Sequence, residues 1–156
     1  MRRVGVATDF HEASNLELAR AAQLAAVFAS EELVALCAYE VPVGYHTIMT
    51  WEQASSGIER SLREHADAAL AAIVPHAPPL RLCLHEGPPT SRIPAMARDE
   101  HLDLLVLGTH ARTRPASALM GRTSEKIIHA AGCSVWAGRD PTRYQRVLDA
   151  LRELAQ

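Results

Sequence analysis

Short, unbroken apolar runs alternate along this chain with longer stretches in which apolar residues recur every three or four positions. Val4-Gly5-Val6-Ala7 is the first run and ends at Thr8-Asp9; from Ser14 onward Leu18, Ala21, Ala25 and Phe28 recur at helical spacing. Leu33 to Ala38 is again continuous and apolar, and beyond a loop with Pro42 and Gly44 come Ile58, Leu62, Ala66, Leu70 and Ile73 at intervals of three and four. After Pro78-Pro79, Leu80, Leu82 and Leu84 alternate with Arg81, Cys83 and His85, and Gly87-Pro88-Pro89-Thr90 starts a helix through Ile93 and Met96. Leu104 to Leu107 is uniformly apolar and breaks at Gly108, and Ile127, Ile128 and Ala131 precede a last strand at Ser134-Val135-Trp136-Ala137. A terminal helix from Pro141 carries Tyr144, Val147, Leu148, Leu151 and Leu154 on one stripe.

Five strands separated by helices predict an α/β fold with right-handed crossovers: a doubly wound, mainly parallel five-stranded sheet with helices on both faces. The first, second and fourth strands are apolar without alternation, as interior strands are, whereas the third alternates as an edge strand does. The order 3-2-1-4-5 satisfies this, with a switch point between strands one and four, where ligands bind outside the carboxyl ends. Asp9 and Gly108 are expected to be neighbours there. The organisation predicted is one domain over residues 1–138 and a C-terminal helical extension over 139–156, packed on the same domain or on a dimer.

Composition adds exclusions. Sixteen Lys and Arg against eighteen Asp and Glu leave a net charge of −2, so no global field favours nucleic acid or an anionic membrane. The 48% apolar content of 156 residues suffices for a core without disulfides or metal. Cys37, Cys83 and Cys133 stand far apart and are odd in number, which fits a reducing, cytoplasmic compartment. The opening residues lack the apolar core of a signal peptide, and no run approaches the roughly twenty apolar residues of a membrane span.

The stretch richest in candidate chemistry is Gly108-Thr109-His110-Ala111, then nine residues, then Gly121-Arg122-Thr123-Ser124-Glu125 leading into a helix. Glycine at a strand end lets backbone approach a ligand, and hydroxyl residues at a helix start accompany N–H groups and a dipole that suit phosphate. The plainer alternative is that Gly108 punctuates a turn and Gly121 with Thr123 caps a helix. Of the eight histidines, His65, His76, His85, His101 and His129 fall in separate elements without paired metal-ligand spacing, so no protein metal site is predicted. No Gly-x-Ser-x-Gly elbow or Walker loop occurs, and no catalytic residue is assigned.

On these residues the chain resembles the universal stress protein family from Val4 to Ala137. Nucleotide-binding members have Gly-x-x-Gly, nine residues, then Gly-Ser/Thr, an aspartate after the first strand and a Gly-x-Pro turn before the third helix. Here Gly108, the spacer Arg112 to Met120, Gly121, Asp9 and Gly87-Pro88-Pro89 match. The resemblance implies a stress-response binding or signalling module that takes ATP, AMP or ADP, the triphosphate with Mg²⁺. It implies Ala7, Thr8 and Asp9 at the adenine and ribose end with Ala38 against the base, and Leu107, Gly108, His110, Ala111, Gly121, Arg122, Thr123 and Ser124 around ribose and phosphates. It also implies a homodimer through the last strand, Val135 and Trp136 included.

Two positions depart from the pattern. Ala111 replaces the second glycine, adding a methyl where backbone approaches phosphate, at about 1 kcal/mol if φ is positive. Arg122 replaces the Ser or Thr after the third, and either grips phosphate bidentately or fills the space. Asp9 likewise has two readings, a ligand contact or a cap on the loop before Ser14. His110 either donates to a phosphate oxygen or is solvated. Against the nucleotide-binding reading stands a member that has lost nucleotide and acts through protein contacts, with the terminal helix as the surface for an unknown partner. An adenylating enzyme of the related fold is disfavoured, because Thr8 to Glu12 lacks the Ser-Gly-Gly-x-Asp-Ser loop.

Overall fold

A computed structural model describes residues 1–9, 14–40, 78–108, 121–138 and 141–154, with helical positions 56, 57, 59–61, 63, 64 and 68 between them. The strands are β1 (Arg3–Ala7), β2 (Glu32–Tyr39), β3 (Leu80–Glu86), β4 (Leu104–Gly108) and β5 (Ser134–Gly138). The helices are α1 (Asn15–Val27), α2 (Pro89–Asp99), α3 (Arg122–Ala130) and α4 (Pro141–Leu154). Of the helix expected through Ile58 and Ile73, only the scattered positions above are described.

The strands form one sheet in the order β3-β2-β1-β4-β5, and every pairing is parallel. This is the order that the strand composition predicts. β1, β2 and β4, apolar between their end residues, are interior, and the alternating β3 lies at an edge. Alternation of side chains across each interior strand feeds two separate cores. Val4, Val6, Leu33, Ala35, Cys37, Leu104 and Val106 face α1 with Leu18, Ala21 and Leu24, whereas Val34, Leu36, Leu105 and Leu107 face Ile93, Met96 and Ile127 of α2 and α3. Each fully buried Leu of this kind contributes about 1.5–3 kcal/mol.

On the second face, a side chain at Gly5 would overlap Leu102 Cδ1, so the glycine in the middle of β1 is what lets Leu102 close the core. At the β3 edge Arg81 donates from Nε to Glu32 Oε1 at 2.8 Å and from Nη1 to Glu100 Oε1 at 3.1 Å. One guanidinium thus ties β3 to the start of β2 and the end of α2.

The terminations of α1 and α2 carry a feature invisible in the residue types. Ala29 (φ 47°) and His101 (φ 51°) take the left-handed conformation that usually falls to glycine after a helix. The chain then closes each helix with a bond from the following N–H, Ser30 N to Ala25 O at 2.8 Å and Leu102 N to Ala97 O at 3.0 Å. At the amino ends of the strands, Asp103 Oδ2 accepts from the N–H groups of Arg2 (2.6 Å) and Arg3 (3.1 Å), clamping the entry to β1.

α1 is buried on nearly all sides, its alanines Ala19, Ala21, Ala22 and Ala25 allowing close approach to the sheet below and α4 beside it. Of the stripe expected on the terminal helix, Leu151 packs against the first core, whereas Val147 is 40% exposed. The stripe is therefore narrower than its sequence pattern at that position. The side chains of Tyr144, Leu148 and Leu154 lie outside those described.

Candidate functional site

The carboxyl ends of three strands meet in one rim, because Ala7 stands opposite both Leu36 of β2 and Leu107 of β4. Thr8, one residue beyond β1, is buried and donates its N–H to Leu36 O at 3.0 Å, continuing the ladder into the rim. Asp9 follows, exposed, and accepts a short hydrogen bond on Oδ1 from Ser14 Oγ, the residue that precedes α1. Its carboxylate is thereby tied to the helix entry and still faces solvent, so both readings of Asp9 have a geometric footing. Ala7, Ala38 and Leu107 all point to the second core face.

Across the rim Gly108 ends β4, and its carbonyl accepts a 2.9 Å hydrogen bond from Ser124 Oγ in the first turn of α3. Gly121 precedes that helix with an extended backbone (φ −74°, ψ 145°), Arg122 and Thr123 are exposed, and Ser124 is half-buried. The N-cap residue of α3, Gly121, has no side chain to cap the helix. The N–H groups of a first turn have no carbonyl within their own helix, so this end is suited to an anion. The structure thus brings Thr8, Asp9, Ala38, Gly108 and the segment Gly121 to Ser124 to one end of the sheet. His110 and Ala111, with Arg112 and Arg114, lie outside the described residues.

Behind the rim is a buried ion pair that belongs to none of these motifs. Glu17 and Arg20 of α1 are 5% and 2% exposed, and Arg20 Nη1 lies 3.6 Å from Glu17 Oε1. Gly108 and Gly138 pair as the last rung between β4 and β5. A Cβ on Gly108 would crowd Glu17 Cδ at 3.2 Å, whereas one on Gly138 would meet Trp136 Nε1 at 2.9 Å and stand 3.8 Å from Arg20 Nη1. Arg20 also donates to Gly138 O at 3.1 Å. The residue types do not single the pair out, because opposite charges at i and i+3 of a helix read as a surface ion pair.

Cys37, at the end of β2, is held in the thiol form: burial, then the negative charge of Asp9, pushes its pKa up to about 11. Burial, followed by the nearby Glu86 carboxylate, also raises the Tyr39 phenol. On the outer side of the rim Gly87 has φ +125° and donates to Tyr39 O at 2.9 Å, so the predicted Gly87-Pro88-Pro89 turn leads into α2 with Pro89 in its first turn. A Cβ there would meet Arg92 Nε at 2.7 Å.

Comparison with known proteins agrees with this geometry. The sequence model of the universal stress protein family matches residues 1–139. A curated universal stress protein of Methanothermobacter thermautotrophicus is 34% identical over 55 residues, which are 35% of this chain and 37% of that protein. The matched stretch spans little more than a third of that relative. Among solved structures, a universal stress protein of Lactobacillus plantarum superposes with a TM-score of 0.69 at 20% identity, covering 88% of this chain and 97% of that one. A universal stress protein solved in complex with cAMP superposes with a TM-score of 0.61 at 23% identity, covering 88% and 96%. With the matched family model spanning residues 1–139 and the sheet in the expected order, this chain belongs to the universal stress protein family.

Proposed function

We propose that this chain is a stress-response binding or signalling module that takes an adenine nucleotide at the rim formed by Ala7 to Asp9, Ala38, Leu107, Gly108 and Gly121 to Ser124, with His110 and Ala111 carried over from the family motif alone. The observation that carries the reading is the Ser124 to Gly108 hydrogen bond. It holds the start of α3 beside the end of β4, at the switch point where a phosphate meets helix N–H groups and the positive end of the helix dipole. The cAMP complex of a structural relative supports adenine as the base. ATP would bring Mg²⁺ on its own phosphates.

The working form proposed is a cytoplasmic homodimer. β5 ends the sheet, and its half-buried Val135 and Trp136 flank an edge whose backbone groups favour pairing with a second copy. Three free cysteines accord with that location. Sedimentation at micromolar concentration is expected to give twice the 17.0 kDa chain mass, and a monomer overturns the dimer.

Calorimetric titration of the stripped protein with ATP and Mg²⁺, and with AMP and cAMP, tests the site. Micromolar affinity for any of them, about −8 kcal/mol, supports the reading. Silence to millimolar concentration for all three overturns it and favours a member that works through protein contacts.

A further inference from the structure

We infer that β5 pairs antiparallel with β5 of a second copy in one register, centred on Trp136; this rests on the homodimer reading above. The hydrogen bond from Ser134 N to Asp103 O, at 3.2 Å, fixes which way each peptide group of β5 points. Ser134 turns its N–H and C=O towards β4, and that direction alternates along a strand paired in parallel. Trp136 and Gly138 therefore also face β4, whereas Val135 and Ala137 direct their N–H and C=O groups outward from the last strand of the sheet.

A parallel pairing gives its two strands unequal bonding roles, so a closed two-fold pair of identical strands is antiparallel. Outward-facing residues must then stand opposite each other. With the axis at Trp136, Val135 of each copy meets Ala137 of the other, and all four outward groups of each strand are bonded within Ser134–Gly138. An axis at Val135 would oppose Ala137 to Cys133, which precedes the strand, and an axis at Ala137 would oppose Val135 to position 139, which follows it. An axis between two residues would set outward groups against inward ones and form no bonds.

Trp136 is thereby opposite its own copy in a pair without hydrogen bonds, the closer kind, with Cα atoms about 4.5 Å apart and side chains on one face. The indole is half-buried against the first core, and a Cβ on Gly138 would stand 2.9 Å from its Nε1, so the ring lies along its own strand. The two-fold brings the two rings together as an aromatic cross-strand contact.

Cysteine scanning tests the register. Val135→Cys, Trp136→Cys and Ala137→Cys are oxidised separately, and the linked peptides are mapped by mass. Trp136→Cys is expected to form the linked dimer about tenfold faster than the other two, because only there do the copies fall within the roughly 4.4–6.8 Å that a disulfide spans. Val135 and Ala137, two residues out of step with their own copies, lie about 8 Å from them. Preferential linkage at 135 or 137, or at none of the three positions, overturns the inference. Val135→Pro removes one outward N–H and spares the bonds to β4, so sedimentation is expected to show a folded monomer at a concentration where the parent is a dimer. A variant that stays dimeric overturns the edge pairing, and if it fails to fold the cysteine scan decides. A monomeric parent removes the homodimer reading itself; a dimer linked at another position sinks only the register.

Discussion

Ser124 Oγ donates a 2.9 Å hydrogen bond to the Gly108 carbonyl, joining the first turn of α3 to the last residue of β4 across the loop proposed to hold phosphate. Both ends of that loop are therefore set by one neutral hydrogen bond. Ser124→Ala is expected to cost about 0.5–1.5 kcal/mol in urea denaturation and to weaken adenine-nucleotide binding in calorimetry. Unchanged affinity with the stability loss would show that the latch serves the fold alone.

Asp9→Ala and Gly121→Val are each expected to remove nucleotide binding while leaving the far-ultraviolet circular dichroism unchanged. Gly121 has φ −74° and ψ 145°, a conformation any residue adopts, so valine there strains no backbone. Retained affinity in both variants would put the ligand elsewhere.

The left-handed residues after α1 and α2 give an opposite kind of prediction. Ala29→Gly and His101→Gly are each expected to stabilise the protein, by up to about 1 kcal/mol, because φ of 47° and 51° strains a residue with a Cβ. Thermal denaturation of each variant checks this. Leu24→Ala, in the fully buried first core, is expected to cost about 2–5 kcal/mol in the same assay.

Acid sensitivity is expected from Glu100. The hydrogen bond from Arg81 holds its carboxyl below the ordinary value of 4.5, with burial opposing. A depressed pKa means that the folded state binds the proton less readily than the unfolded one. The stabilisation is complete above pH 4.5 and is lost as pH falls through the folded value. Glu100→Gln is expected to flatten the stability curve in that acid window relative to the parent, by about 0.2–1 kcal/mol, because Arg81 is 39% exposed and solvent screens the pair. Equal acid limbs for parent and variant would refute it.

Cys37, 5% exposed and with its thiol pushed up to about 11, is expected to resist an aromatic disulfide reagent at pH 8 until the protein unfolds. Mass mapping of the labelled cysteines over a denaturant series checks whether its modification follows global unfolding.

Much of the fold is legible in the chain because sheet position and burial impose themselves on residue type. An interior parallel strand is covered on both faces, so β1, β2 and β4 are apolar at every position but Gly5, the end residues and Cys37; β3 shows its edge by alternating. The strand order follows from those characters and the handedness of crossovers. The glycines and hydroxyls of the candidate site are legible for a similar reason: backbone approach and helix starts admit few residue types, and their spacing survives as a motif. Glu17 and Arg20 carry no such mark. As an i,i+3 pair on a helix they read as an ordinary surface ion pair, and Gly138 reads as a strand end.

The sequence by itself determined the element order and the parallel sheet, which rest on local periodicity, and offered Gly108 and Gly121 to Ser124 as candidate ligand contacts through backbone freedom and helix-start chemistry, with Asp9 as one that the family resemblance implies. Only the tertiary structure decided that α1 packs against both the sheet and α4, that Gly108 and Gly138 share a rung, and that a buried ion pair lies beside them. Those facts depend on which surfaces meet across residues far apart in the chain, and burial of that kind is a property of the packing, with no imprint on the type or spacing of neighbouring residues.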